Sequence, residues 1–346
     1  MPADSFGITA DGRSVDQIVL GKEPGLVLRI LTLGATVHRL EVIGGDGSRR
    51  NVVLGHETSD DYLASTDYIG GTIGRYANRI ASGRLTIDGR EHTIGAHDRG
   101  NHLHGGPDGF DRRIWEVVEV GRRHAVLRIE SPDGDQGFPG TLVAQVRFEV
   151  GEETVRIGFA AVTDATTVVN LTSHAYFNLE GDGAGTVDRH ELTVAASAYT
   201  PVDATGIPLG EHLSVEGTPF DFRRAQRVGL AVRHDNDQIV LMRGIDHNFV
   251  LDGVGWRTAA VLESRHARTR MDLRTDQPGL QVYTGNYLDG TRRTGSGLYR
   301  QGDGIALEPQ LFPDSPNRPS WPSALLRPGQ RYRSTLEWRF SALAPD

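Results

Sequence analysis

The chain has 346 residues, 38% of them hydrophobic, enough apolar material for a large buried core. Its formal charge of −8 provides no basic face for nucleic acid or anionic lipid, so neither partner is expected and a small or neutral ligand is. With no cysteine, thiol nucleophiles, disulfides and thiolate metal centres are excluded together.

In chain order, the N-terminal MPADSFGITADG lacks a basic head followed by an apolar stretch, and no later run approaches a membrane span. A cytoplasmic location is expected. Lys22, the only lysine, sits in the turn-like GKEPG and is a poor candidate for Schiff-base chemistry. Strand-like alternation begins with GLVLRILTLGATVHRLEVI. The stretch ETSDDYLAST has room for one or two helical turns, and RLTIDGREHTI reads as a hairpin about its Asp-Gly. AVLRIES, LVAQVRFEV and TVRIGFAAV continue the pattern, with a second hairpin at VGEETV.

Residues 168–179, VVNLTSHAYFNL, split by parity. Val169, Leu171, Ala175 and Phe177 are apolar, with Ser173 the exception, while Asn170, Thr172, His174, Tyr176 and Asn178 are polar. That pattern predicts a strand with one core face. A second face of Asn, Thr, His, Tyr and Asn suits a cleft better than open solvent. HELTVAASAYT and the terminal RYRSTLEWRF are further strands, and FRRAQRVGLAV holds a candidate helical turn. Gly and Pro fall in short turn-like clusters with no linker, which predicts one continuous domain over residues 1–346. Many strands without intervening helices predict an all-β fold, a large antiparallel sandwich or barrel.

Several chemical motifs fail on inspection. His102 and His104 in NHLHGG would suit two metal ligands on a strand face, but no carboxylate follows except Asp108 beyond Gly105, Gly106 and Pro107. No metal is expected there. GGTIGRY lacks dinucleotide spacing, TGSGL lacks a nucleophile elbow, and EGDGAGT leads towards a strand instead of a phosphate-binding helix.

What remains is a scatter of polar groups: Asn78 and Arg79 in GRYANRI, His104 in LHGG, His174 and Tyr176 in HAYFNL, Asp246 in GIDHNF, Gln281 in LQVYTGN and Glu308 in IALEPQ. Singly, each has an ordinary structural explanation. Arg79 can pair with a surface carboxylate, His104 can cap a Gly-Gly turn, and Gln281 can face solvent. Glu308 stands out, because an apolar IAL strand precedes it and Pro309 is expected to end the ladder, leaving a carboxylate at the lip of the core. A base with a raised pKa would be placed there.

Together, in order, these stretches resemble the aldose 1-epimerases, also called galactose mutarotases. YTPVDATGIPLGE, GTPFDFR, QPGLQVYTGNYLDG and LLRPGQRY look like further segments of that family. The resemblance implies a galactose mutarotase-like supersandwich of large antiparallel β-sheets with a concave sugar cleft. It implies His174 as general acid and Glu308 as general base, and Asn78, Arg79, His104, Tyr176, Asp246 and Gln281 as sugar-binding residues. Ala175 stands where the commoner pattern has Ser, on the core face by parity.

The implied reaction interconverts the α and β anomers of free aldohexoses such as galactose and glucose. One group takes the anomeric hydroxyl proton while another protonates the ring oxygen, so no metal, nucleotide or redox cofactor is expected. The expected partner is a monosaccharide, bound by a monomer or homodimer. Two alternatives remain open at this level. One is a hexose-6-phosphate 1-epimerase, which needs a cationic phosphate clamp. The other is a non-catalytic carbohydrate-binding protein on the same fold, which has no need of both His174 and Glu308.

Overall fold

Leu142–Val150 and Thr154–Thr163 pair from Leu142 opposite Thr163 to Val150 opposite Val155, the register that the VGEETV hairpin imposes. The computed structural model describes residues 4–294 and 297–344. Burial alternates along both strands, with Ala144, Val146, Phe148, Val155, Ile157 and Phe159 inside. They stand near the middle of a nine-stranded sheet. Its order is Glu116–Val120, His124–Ser131, Leu142–Val150, Thr154–Thr163, Tyr332–Ala342, Thr269–Thr275, Arg257–Ser264, Glu191–Val194 and Gln226–Arg227. The C-terminal strand therefore lies inside the sheet, between partners far away in sequence.

A six-stranded sheet runs Tyr176–Phe177, Ile305–Gln310, Gly279–Tyr283, Asp246–Leu251, Ala196–Thr200 and Leu213–Ser214. The N-terminal sheet has five strands in chain order, from Asp4–Ile8 to Arg49–Asn51. Strands make up 46% of the chain and helices 10%, which sets the all-β class. One hydrophobic cluster joins the three sheets, through Leu28 and Val37, Val146 and Ile157, and Val282 and Leu307. Phe177 meets Trp338 edge-on at 4.9 Å, tying the segment that carries His174 to the C-terminal strand. Truncating such a core aromatic costs about 3–5 kcal/mol.

Local expectations fare unevenly. The Asp-Gly hairpin joins Arg84–Ile87 to Arg90–Thr93 with Asp88 and Gly89 at φ 49° and 78°, the positive values a tight two-residue turn requires. ETSDDYLAST contains the helix Ser59–Ala64, capped by the Thr58 side chain, and FRRAQRVGLAV contains Val228–Val232. A third helix, Asp237–Met242, is too short to show periodicity in sequence and depends on its Asn236 cap. EGDGAGT leads into the single turn Val187–Arg189 before the strand Glu191–Val194. Gly295 and Ser296 of TGSGL lie outside the described residues.

The largest correction concerns residues 168–179. They form separate two-residue strands, Thr167–Val168, Thr172–Ser173 and Tyr176–Phe177, paired respectively with Leu325–Leu326, Thr72–Ile73 and Ile305–Gln310. Every residue from Val168 to Leu179 is buried, whichever its parity. The core lies on one side, and loops and the cavity wall cover the other.

Candidate active site

The six-stranded sheet is two-faced. Phe249, Leu251, Leu280, Val282, Ile305 and Leu307 enter the core, and the alternate residues Asp246, Asn248, Gln281, Tyr283 and Glu308 share the opposite face. Across it, Asn248 stands opposite Gln281 and Gln281 opposite Glu308. One rung away, Asp246 faces Tyr283, Tyr283 faces Ala306, and Ala306 faces Tyr176. Gln281 Nε2 donates to Asp246 Oδ1 at 2.7 Å. Pro309 does not end the strand, which continues to Gln310 opposite Gly279. The strand's other edge is paired only at Ile305 and Ala306, leaving room for a proline without loss of a ladder bond.

The facing wall comes from loops. Arg79 pairs with Leu103 and Ile80 with His102, which brings Asn78 beside His104. The Asn78 backbone N–H donates to His104 Nδ1 at 3.1 Å, and the His104 N–H returns a bond to the Asn78 carbonyl at 3.2 Å. Both residues are left-handed, at φ 66° and 53°, a conformation Asn tolerates and His enters less readily. Arg79 is buried, not at the surface, and its Nε donates to Asp98 Oδ2 at 2.9 Å. His174 is held by its own backbone, which bonds the Gly70 N–H and Gly71 carbonyl at 3.0 and 2.9 Å.

These walls enclose a cavity of about 720 Å³. Asn78, Arg79, His104, His174, Tyr176, Asp246, Gln281 and Glu308 all line it. His174 Nε2 and Glu308 Oε1 lie 3.6 Å apart, with side chains only 4% and 2% exposed. Tyr176 contributes its ring alone, because its hydroxyl donates to the Asp67 carbonyl at 2.9 Å. Asn170 and Asn178 of the same polar face turn to structure instead, donating to the Ala77 carbonyl and to the Gly185 and Asp303 carbonyls. His102 is turned away as well. It bonds the Ile94 carbonyl at 2.6 Å and packs on Phe138, so it forms no pair with His104. Sequence reading missed Asp67, Tyr68 and Asp98 of the lining, which sit in segments without a chemical motif, and Tyr283, two residues beyond Gln281 in LQVYTGN.

Burial dominates the electrostatics. It pushes His174 down to about 4 and His104 well below the usual histidine value. It holds Glu308 well above the usual carboxyl range, with the Asp246 charge adding to the rise and Arg79 opposing it. Burial thus disfavours the charged form of each member of the pair, the imidazolium of His174 and the carboxylate of Glu308.

His104, His174 and Glu308 offer ligand atoms within 4.8 Å of one another, a spacing that a metal ion could bridge. His104 does not fit that role. Its Nδ1 accepts the Asn78 N–H, so the neutral ring carries its proton on Nε2 and presents a donor to the cavity.

The sequence family described as Aldose 1-epimerase matches residues 16–339. The chain is 39% identical over 340 residues to the aldose 1-epimerase of Escherichia coli K12, covering 97% of this chain and 98% of that one. It is 40% identical over 340 residues to the galactose mutarotase of Mus musculus, covering 97% of each. A crystal structure of an aldose epimerase homologue from C. elegans superposes with a TM-score of 0.89 at 29% identity, over 95% of this chain and 100% of that one.

Proposed function

The chain belongs to the aldose 1-epimerase family and is a sugar epimerase, and on that premise we propose that Glu308 and His174 open and reclose the hemiacetal ring of a free aldohexose such as galactose. The observation that carries this reading is the buried pair itself, 3.6 Å apart at the floor of a cavity lined by hydrogen-bonding groups. Two groups at that separation can address the two oxygens borne by one anomeric carbon.

Ring opening needs a carboxylate at Glu308 and an imidazolium at His174. Sugar binding supplies that state by moving a proton from the Glu308 carboxyl to the His174 imidazole, because substrate hydroxyls and the Arg79 charge stabilise the carboxylate. Glu308 then takes the C1 hydroxyl proton while His174 protonates the ring oxygen, and the bond between C1 and the ring oxygen breaks to give the aldehyde. Rotation about C1–C2 presents the other carbonyl face. On closure His174 recovers its proton role in reverse as base and Glu308 acts as acid. Each group contributes about 10²- to 10⁴-fold, or about 3–5 kcal/mol of barrier.

His104 holds a sugar oxygen with its Nε2–H, Asp246 and Gln281 bond the remaining hydroxyls, and the Tyr176 ring lies against a C–H face. The largest hydrophobic cluster, which joins the three main sheets, supports reading residues 1–346 as one domain. A phosphorylated hexose is disfavoured by the lining. Arg79 and Arg99 are both engaged by Asp98, and Arg112 donates to the Leu63 and Ser65 carbonyls, while Asp67, Asp246 and Asp289 add carboxylates. A binding module without catalysis has no use for a buried carboxyl and imidazole 3.6 Å apart.

Polarimetry of freshly dissolved α-D-galactose tests the assignment. His174→Asn and Glu308→Gln should each lower kcat by about 10²-fold or more while leaving sugar binding in place. A near wild-type rate in either variant removes that residue from its role.

A further inference from the structure

Tyr68 lies in the turn that holds His174, outside every motif of the sequence. The Gly71 N–H donates to the Tyr68 carbonyl at 3.1 Å and closes this turn, whose Gly70 and Gly71 bond the His174 backbone on the same side. Tyr68 sits at φ 56°, in the left-handed region that bulky residues enter only at a cost and that glycine or asparagine would occupy more easily. The turn carries its ring into the cavity, edge-on to His104 with centroids 4.6 Å apart and 5.8 Å from His174. A strained tyrosine maintained beside two site histidines calls for a use of the side chain.

The hydroxyl shows what that use is. Two neighbouring tyrosines have theirs engaged: Tyr176 donates to the Asp67 carbonyl and Tyr283 accepts the Tyr287 N–H. The Tyr68 hydroxyl makes no hydrogen bond among the described residues, although the residue lines the cavity. Burial holds the phenol above the usual tyrosine value, so it stays a neutral donor and acceptor.

We infer that Tyr68 is a substrate-binding residue, whose hydroxyl hydrogen-bonds a hydroxyl of the aldose while its ring holds the His104 imidazole in position. This rests on the epimerase reading of the same cavity. A bond made equally to bound sugar and transition state acts on KM and leaves kcat alone.

The test is Tyr68→Phe, which removes one oxygen and keeps ring and fold. KM for D-galactose should rise by about 2- to 12-fold, the worth of a typical hydrogen bond, with kcat unchanged. Across the monodeoxy analogues of galactose, the one lacking the contacted hydroxyl should lose the same factor in the wild type and lose nothing further in Tyr68→Phe. A variant with unchanged KM, or one that weakens all the analogues alike, overturns the hydroxyl contact. Tyr68→Asn keeps the left-handed turn without the ring and should lower kcat as well; a kcat equal to that of Tyr68→Phe overturns the support of His104. Failure of the underlying epimerase reading would appear elsewhere, as full turnover in His174→Asn.

Discussion

The Asn78 backbone N–H meets His104 at Nδ1, 3.1 Å away, and so decides which nitrogen of a buried imidazole carries its proton. His104 is thereby a fixed donor lining the cavity, and a metal could use its Nε2 only by displacing that proton. Exhaustive chelation should therefore leave the mutarotation rate unchanged, and a loss that one added metal restores would overturn the donor assignment. His104→Gln, which retains an N–H donor, should keep far more activity than His104→Leu, for which a loss of about 10²-fold is expected.

In the proposed mechanism Glu308 and His174 act on one coupled proton movement, so their losses should not multiply. The double variant Glu308→Gln, His174→Asn should turn over D-galactose nearly as fast as the slower single variant. Independent, multiplicative losses in kcat would show that the two groups serve separate steps.

The activity profile should be bell-shaped. The acid limb falls near pH 4, where His174 takes up a proton, and the alkaline limb falls where Glu308 loses its own. Because the Asp246 charge raises Glu308, Asp246→Asn should move the alkaline limb of kcat/KM towards lower pH. A limb that stays put, or moves up, would show that Asp246 does not act on Glu308 through its charge.

Stability should report the same group. Unfolded, Glu308 releases its proton near its ordinary value of 4.5, whereas the folded chain retains it to well above that. Its contribution to stability is therefore present at low pH and lost as pH rises through the folded value, by up to about 1.4 kcal/mol per pH unit. Glu308→Gln escapes that loss. Its urea midpoint should exceed the wild-type midpoint by a margin that widens as pH rises above the ordinary value of 4.5, and a constant margin would contradict a raised Glu308.

Alternation along LVAQVRFEV and TVRIGFAAV was enough to place the inner faces of the large sheet, because a strand with one covered face repeats every two residues. The same rule misleads at residues 168–179, where the backbone breaks into short bridges and is buried on every side. Pro309 misled for a related reason. Whether a proline ends a strand depends on which edge its missing N–H faces, and that edge is decided by the neighbours of Ile305–Gln310.

The site residues were legible as types and as segments resembling a known family, since the chemistry demands an imidazole, a carboxyl and hydrogen-bonding groups. Their meeting was decided by the tertiary structure. Asn78 reaches His104 through the pairing of Arg79 with Leu103, and Glu308 reaches His174 across a sheet edge and a glycine turn. Tyr68 and Asp98 left no signal, because a left-handed tyrosine and an aspartate beside a buried arginine look ordinary in a loop. Residue identity fixes which protons can move. Desolvation, and the distance from Glu308 to charges on Asp246 and Arg79, fix where those protons rest, and both are properties of packing between segments far apart in the chain.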